Sequence, residues 1–170
     1  TLLTLPDRGP SADVVVAWTR PDAVSPAFRA LLQGETAEGT ALEADVDAFA
    51  SALATAASAA RFVLVPSWVL PPWRRGLGLF ELRGGAARAL ARLNLRLAEA
   101  VEEMQNVFVL DAQRWLASAR DGGVDPKLWH AGKVAFTHDV LVEAAHDVRA
   151  AVRGLSGSSR KLIVVDLDDT

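Results

Sequence analysis

The residues whose types and spacing could do chemistry lie in the last ten positions, Lys161-Leu162-Ile163-Val164-Val165-Asp166-Leu167-Asp168-Asp169-Thr170. There an apolar run delivers an Asp-x-Asp-x-Thr sequence. Parallel sheets present their ligand sites beyond the carboxyl ends of their strands, so carboxylates in that position are well placed. Asp166 and Asp168 are of the type that can attack an electrophile, exchange a proton or hold a divalent cation. An acidic strand end that caps the next element is the structural alternative, and Asp-x-Asp by itself would not exclude it. Joined to the apolar run and to the Gly/Ser stretch before it, the pattern becomes specific. Elsewhere such residues are sparse. The chain has no cysteine, which removes disulfides, thiolate metal sites and a cysteine nucleophile. His130, His138 and His146 are too dispersed for a metal site. His130, after Trp129, reads as a surface or packing residue, His138 as solvated in a first helical turn, and His146 as part of a polar face with Glu143 and Arg149.

The elements that must position these residues can be read from hydrophobic periodicity. Residues 13–18 (DVVVAW), 62–67 (FVLVPS), 106–111 (NVFVLD) and 161–166 (KLIVVD) are short, Val/Leu/Ile-rich and apolar on consecutive positions. That pattern suits strands covered on both faces of a parallel sheet. Residues 2–5 form a weaker fifth candidate. Between the runs lie helical stripes. Leu42, Val46, Phe49, Leu53, Ala56 and Ala60 recur at three- and four-residue steps. Ala86, Leu90, Leu93, Leu97, Val101 and Met104 form a second stripe, opposite Arg88, Arg92, Arg96, Glu99 and Glu103. A third helix is expected from Thr137, as N-cap, to about Arg153, burying Val140 or Leu141, Ala144, Val148 and Val152. Asn94 sits at the edge of its stripe, where a buried amide bonding a loop carbonyl explains it without catalysis.

Strand and long helix in alternation predict an α/β fold, a three-layer sandwich with a mostly parallel sheet. Residues 154–159 (GLSGSS) break the pattern as flexible linkers do. The expected organisation is an α/β domain over 1–154, a linker over 155–160, and the opening strand of a further domain over 161–170. Composition agrees with a globular domain: 51% of residues are hydrophobic and 23% charged. A net charge of −3 argues against a nucleic-acid footprint. No apolar run approaches the ~20 residues of a membrane-spanning helix, and no signal peptide opens the chain. No nucleic-acid or membrane partner is therefore expected, and the absence of cysteine fits a cytoplasmic setting.

The terminal strand and DLDDT sequence resemble the first signature of the haloacid-dehalogenase (HAD) superfamily of phosphotransferases. The resemblance implies that Asp166 is the nucleophile that becomes an aspartyl phosphate. It implies that Asp168 is the acid/base that protonates the leaving group and later activates water, with Thr170 at the loop's edge. It also implies Mg2+ at Asp166 and Asp168. The remaining HAD parts are not among these residues. The ion is therefore expected in a full-length HAD domain and not in this segment, which is not expected to catalyse phosphoryl transfer alone. The chain is expected to be the N-terminal piece of a larger protein.

A narrower resemblance covers roughly the last two thirds. FVLVPS leads to Pro71-Pro72-Trp73 and Leu77-Gly78-Leu79-Phe80-Glu81, followed by Leu93-Asn94 and Asn106-Val107-Phe108-Val109-Leu110-Asp111. Then come Asp125-Pro126-Lys127-Leu128-Trp129, Phe136-Thr137, and Ser159-Arg160-Lys161 before DLDDT. This ordered set resembles the FkbH-type proteins of polyketide and related pathways. The first 61 residues contribute only compatible topology. The resemblance implies an SGNH-hydrolase-like (flavodoxin-like) domain joined to a HAD domain of subfamily IIIC. Its implied activity is taking a glyceryl group from 1,3-bisphosphoglycerate, removing phosphate and loading the acyl unit on acyl carrier protein. The implied partners are that carrier and the C-terminal HAD domain of the same protein.

An SGNH esterase would need a Gly-Asp-Ser turn, an oxyanion-hole Asn and a late Asp-x-x-His. No Gly-Asp-Ser occurs, no Asn stands near Ser67 or Trp68, and the Asp-x-x-His positions fall near Gly132 and Ala135. Asp125 and His130, or His138, remain as a base and its orienter, at a spacing wrong for that fold. Residues 68–83 invite a different use. Trp68, Trp73, Arg74 and Arg75 suit docking of an acidic carrier protein or the companion HAD domain. Alternatively the aromatic side chains fold back to cap the sheet, with Arg74 and Arg75 exposed. The expected role is a scaffold or carrier-docking domain; an SGNH-type esterase or acyltransferase with its serine upstream, or a different HAD phosphatase, stand as alternatives.

Overall fold

The computed structural model describes residues 12–70, 80–132 and 134–158. Strand β1 (Ala12–Val16) leads through two short helices, α1 (Pro21–Val24) and α2 (Pro26–Leu32), to the long helix α3 (Gly39–Ala59). Strand β2 (Ala60–Pro66) is followed by α4 (Ala86–Val101), β3 (Val107–Leu110), α5 (Ala112–Ser118), a 3-10 turn at Arg120–Gly123, α6 (Pro126–Gly132) and α7 (His138–Leu155). The strands form one parallel sheet in the order β1-β2-β3. Val14 is in register with Phe62, and Val63 with Val107. The expected α/β class with a parallel sheet is therefore observed, with helices between successive strands.

The alternation of side chains along the strands sorts the core into two parts. Val63, Val65, Val107 and Val109 face the stripes of α3 and α4 in one cluster. Leu110, the next residue along β3, belongs to a second cluster with Ala112, Trp115, Val140 and Ala144 from α5 and α7. Helices on both faces are compatible with a three-layer arrangement. Leu42, Val46, Leu53, Leu90, Leu93 and Leu97 are all buried, as their spacing predicts. Each contributes about 1.5–3 kcal/mol relative to exposure. Polar groups then fix the helices against one another. Arg96 donates to Asp47 Oδ1 at 2.8 Å, and this contact holds the guanidinium pKa above its ordinary value. Asn106 Nδ2 donates to the carbonyls of Ala57 and Ala60, tying the start of β3 to the junction of α3 and β2.

Several expectations change in detail. β1 is not covered on both faces by described residues: Val16 is 41% exposed and Trp18 39% exposed. Val140, not Leu141, takes the buried position on α7, because Leu141 is turned to solvent. Thr137 stands at the N-cap of α7 but its hydroxyl does not cap; Oγ1 is buried with no partner. α7 runs one residue past the expected boundary, to Leu155, and ends where Gly157 adopts a left-handed φ of 71°. There Ser158 N donates to the Arg153 carbonyl, closing the helix end. Residues 2–5 and 161–166 lie outside the described residues.

Candidate functional site

In an open parallel sheet the loops beyond the carboxyl ends of the strands converge on the place where ligands bind. Here those loops carry Trp18-Thr19-Arg20-Pro21-Asp22 after β1, Ser67-Trp68-Val69-Leu70 after β2 and Ala112 after β3. Together with Leu116, Val124, Ala135 and Phe136 they line a narrow, mostly apolar cleft. Its volume is about 40 Å³, room for about two or three waters.

Trp68 organises the cleft. Its backbone N–H donates to Asn94 Oδ1 at 2.8 Å, and Asn94 Nδ2 donates to the Trp68 carbonyl, also at 2.8 Å. A single side-chain amide thus replaces both bonds that the strand ladder would have supplied had β2 continued. The Trp68 indole N–H donates to Thr19 Oγ1 at 3.0 Å, joining the ends of β2 and β1. Its ring packs on Phe49 with centroids 5.6 Å apart. Ser67 joins β2 to β3: its N–H donates to the Leu110 carbonyl, and its Oγ accepts from Ala112 N at 3.0 Å. The opposite wall is aromatic. Trp18 packs against Trp115 and Phe136, at centroid distances of 5.4 and 5.8 Å. The indole of Trp115 is itself held by a 2.6 Å bond to Asp147 on α7.

The polar side of the cleft is Arg20 and Asp22. Arg20 Nη2 lies 3.4 Å from Asp22 Oδ2, and the guanidinium sits over the Trp129 ring at 5.1 Å. Asp22 Oδ1 is buried without a hydrogen-bond partner. A buried carboxylate oxygen left unpaired is costly. The arrangement leaves room for a small group only, between the Arg20–Asp22 pair and the aromatic wall.

The sequence-derived candidates fall out unevenly. Trp68 is 1% exposed, so it takes the folded-back arrangement and does not offer its ring for docking. Its size and its indole N–H, which needs a partner once buried, account for that. Trp73, Arg74, Arg75, Asp166 and Asp168 lie outside the described residues. Asn94 does what its place on the stripe implies, clasping a loop carbonyl and a loop N–H. Asp125 accepts from Lys127 N at 2.8 Å and so caps α6, with no ion pair to His130. All three histidines are exposed, and His146 Nδ1 lies 3.9 Å from Glu143. Among the described residues no group of three or more His, Asp or Glu is placed to hold a metal ion. Also among them, no helix is long and apolar enough to cross a membrane. Thr19, Arg20 and Asp22 were not among the candidates taken from the sequence. Their one signal is that they follow the carboxyl end of the first apolar run, and they form no motif.

Comparison of the chain with protein-family models, with curated proteins and with solved structures gives no match.

Proposed function

We propose that this chain is the N-terminal scaffold or carrier-docking domain of a FkbH-type glyceryl transferase and phosphatase, with an SGNH-hydrolase-like three-layer fold. The HAD part of that protein would begin at residue 161. In it, Asp166 would be the nucleophile, Asp168 the acid/base, and both would serve Mg2+ binding. The acyl unit would pass from 1,3-bisphosphoglycerate to acyl carrier protein in the cytoplasm, with the present domain holding the carrier in place.

The observation that carries this reading is the fixed exit of β2. Trp68 is clasped by Asn94 on its backbone and by Thr19 on its ring, so the chain leaves the sheet's carboxyl edge at Leu70 from a rigid base. Next in sequence come Pro71, Pro72, Trp73, Arg74 and Arg75, residue types that favour a positively charged docking loop for an acidic partner. A rigid element beneath a recognition loop lowers the ordering cost of binding.

Mass spectrometry of acyl carrier protein tests the reading, after incubation with 1,3-bisphosphoglycerate, magnesium and either the full-length parent or this chain. Glyceryl loading by the full-length protein and not by this chain is the expected result. Loading by neither would refute the glyceryl-transfer assignment and leave another HAD phosphotransferase as the parent.

A further inference from the structure

A second cavity opens between α2 and the amino ends of α3 and α4, with a volume of about 370 Å³. It shares no lining residue with the cleft at Trp68, and a role for it is independent of the docking function. Its walls carry three arginines, Arg83, Arg88 and Arg92, against one carboxylate, Glu38. Arg92 is paired with Glu43 at 2.8 Å, and Arg88 donates to the Glu81 carbonyl at 3.1 Å. Arg83 has no ion pair among the described residues.

Three features make this concentration of positive charge unusual in a chain of net charge −3. Guanidinium groups gathered around one cavity repel one another. They also stand at the wrong ends of two helices: cations are favoured at helix carboxyl ends, where the dipole is negative. Arg88 lies in the first turn of α4, which has no acidic residue and no side-chain cap. α3 likewise starts without a side-chain cap, as α1 and α7 do. The third feature is steric. A Cβ at position 39 would stand 2.7 Å from Arg92 Nη1 and 3.0 Å from Cζ and Nη2. The guanidinium therefore lies against the bare first residue of α3, and a side chain there would push it aside.

We propose that this cavity binds a phosphate-class anion, a phosphate monoester or diphosphate, held by Arg83, Arg88 and Arg92 over the amino ends of α3 and α4. With Arg92 paired to Glu43, Arg83 and Arg88 still outnumber Glu38 around the cavity, and a bound anion offsets that excess. Phosphate oxygens match the guanidinium fork, and helix amino ends supply N–H groups aligned toward an anion. The volume is many times the ~30 Å³ share of one water, so a phosphate group with part of its hydration fits.

Calorimetric titration of the 170-residue chain with inorganic pyrophosphate at low salt tests this, each variant being checked for wild-type circular dichroism. Saturable one-site binding is expected. Arg88→Gln and Arg92→Gln should each weaken it by about tenfold or more, and Glu38→Gln should tighten it several-fold by removing a like charge. Gly39→Ala separates site from fold. Its backbone is helical, so alanine should not lower the thermal midpoint of the free protein, yet by displacing Arg92 it should weaken pyrophosphate about tenfold. No saturable binding, or binding indifferent to Arg88→Gln and Arg92→Gln, overturns the proposal. So does weaker binding in Glu38→Gln. Binding of poly-glutamate without binding of pyrophosphate also overturns it, and assigns the patch to an acidic macromolecule.

Discussion

Replacing Asn94 by alanine isolates the device that holds the cleft in place. The Asn94 amide makes two bonds with one peptide-bearing residue, accepting from Trp68 N and donating to Trp68 O, each at 2.8 Å. With Trp68 1% exposed, alanine leaves a donor and an acceptor in an almost dry place. An unsatisfied buried group costs about 1–3 kcal/mol. Asn94 is only half-buried, so water recovers part of the loss, and a total of about 2–4 kcal/mol is expected. In urea, with a slope of about 2 kcal/mol/M, the midpoint should fall by about 1–2 M at unchanged slope. The thermal midpoint should fall by about 4–16 °C, using about 2–4 °C per kcal/mol for a domain of this size. Asn94→Asp adds a sign test. It keeps the acceptor for Trp68 N but turns a carboxylate oxygen toward the Trp68 carbonyl. Only the protonated carboxyl can donate there, so folding raises its pKa. The stability carried by that bond is then present at low pH and lost as pH rises through the folded pKa. The deficit of Asn94→Asp against the wild type should therefore shrink on acidification. If Asn94→Ala unfolds within about 0.5 kcal/mol of the wild type, the clasp does not hold the β2 exit.

Three further substitutions probe the frame around the site. Gly123 has φ 73°, and a Cβ there would meet Val140 Cγ2 at 2.5 Å and Leu116 Cδ2 at 2.9 Å. Gly123→Ala should cost about 2–5 kcal/mol from backbone strain plus overpacking. Gly122, with the same φ and nothing within 4 Å, should cost only about 1–2 kcal/mol as alanine, so the difference in urea midpoints reads the packing. Asp45 Oδ2 accepts from Ser25 Oγ at 2.7 Å and from Ala27 N at 3.1 Å. Asp45→Ala should therefore cost about 1–3 kcal/mol in chemical denaturation by loosening α2 from α3. Trp115→Phe removes the bond to Asp147, whose side chain is 26% exposed and keeps water as a partner. A loss of about 1 kcal/mol is expected, with the near-ultraviolet circular dichroism of the Trp18 cluster altered.

The parts of the fold legible in the sequence were those governed by periodic burial. The stripes of α3, α4 and α7 and the apolar runs of β1 to β3 each contain a signal repeated several times, so one deviant residue does not erase it. Asn94 was legible for the same reason, as a polar residue breaking an apolar stripe. The short helices were not. α1 and α2 have one or two turns, too few for a period, and their order comes from Ser25 and Asp45, which lie 20 residues apart. Thr137 misled in a modest way, since a hydroxyl at an N-cap position need not turn toward the helix. The cleft residues Thr19, Arg20 and Asp22 and the arginine cavity were hidden because neither is local in sequence. Arg88 and Arg92 read as an ordinary solvated face of α4 until the packing of α3 brought Gly39 and Glu38 beside them.

The central claim is that this domain receives an acidic carrier at the loop leaving β2. Its most direct test is a titration of the chain with acyl carrier protein, repeated with Arg74→Glu and Arg75→Glu combined. Like charges set against a partner cost several kcal/mol. Saturable binding by the wild type is therefore predicted, with a loss of about tenfold or more in the charge-reversed variant. No saturable binding, or equal affinity in the two proteins, would contradict the claim.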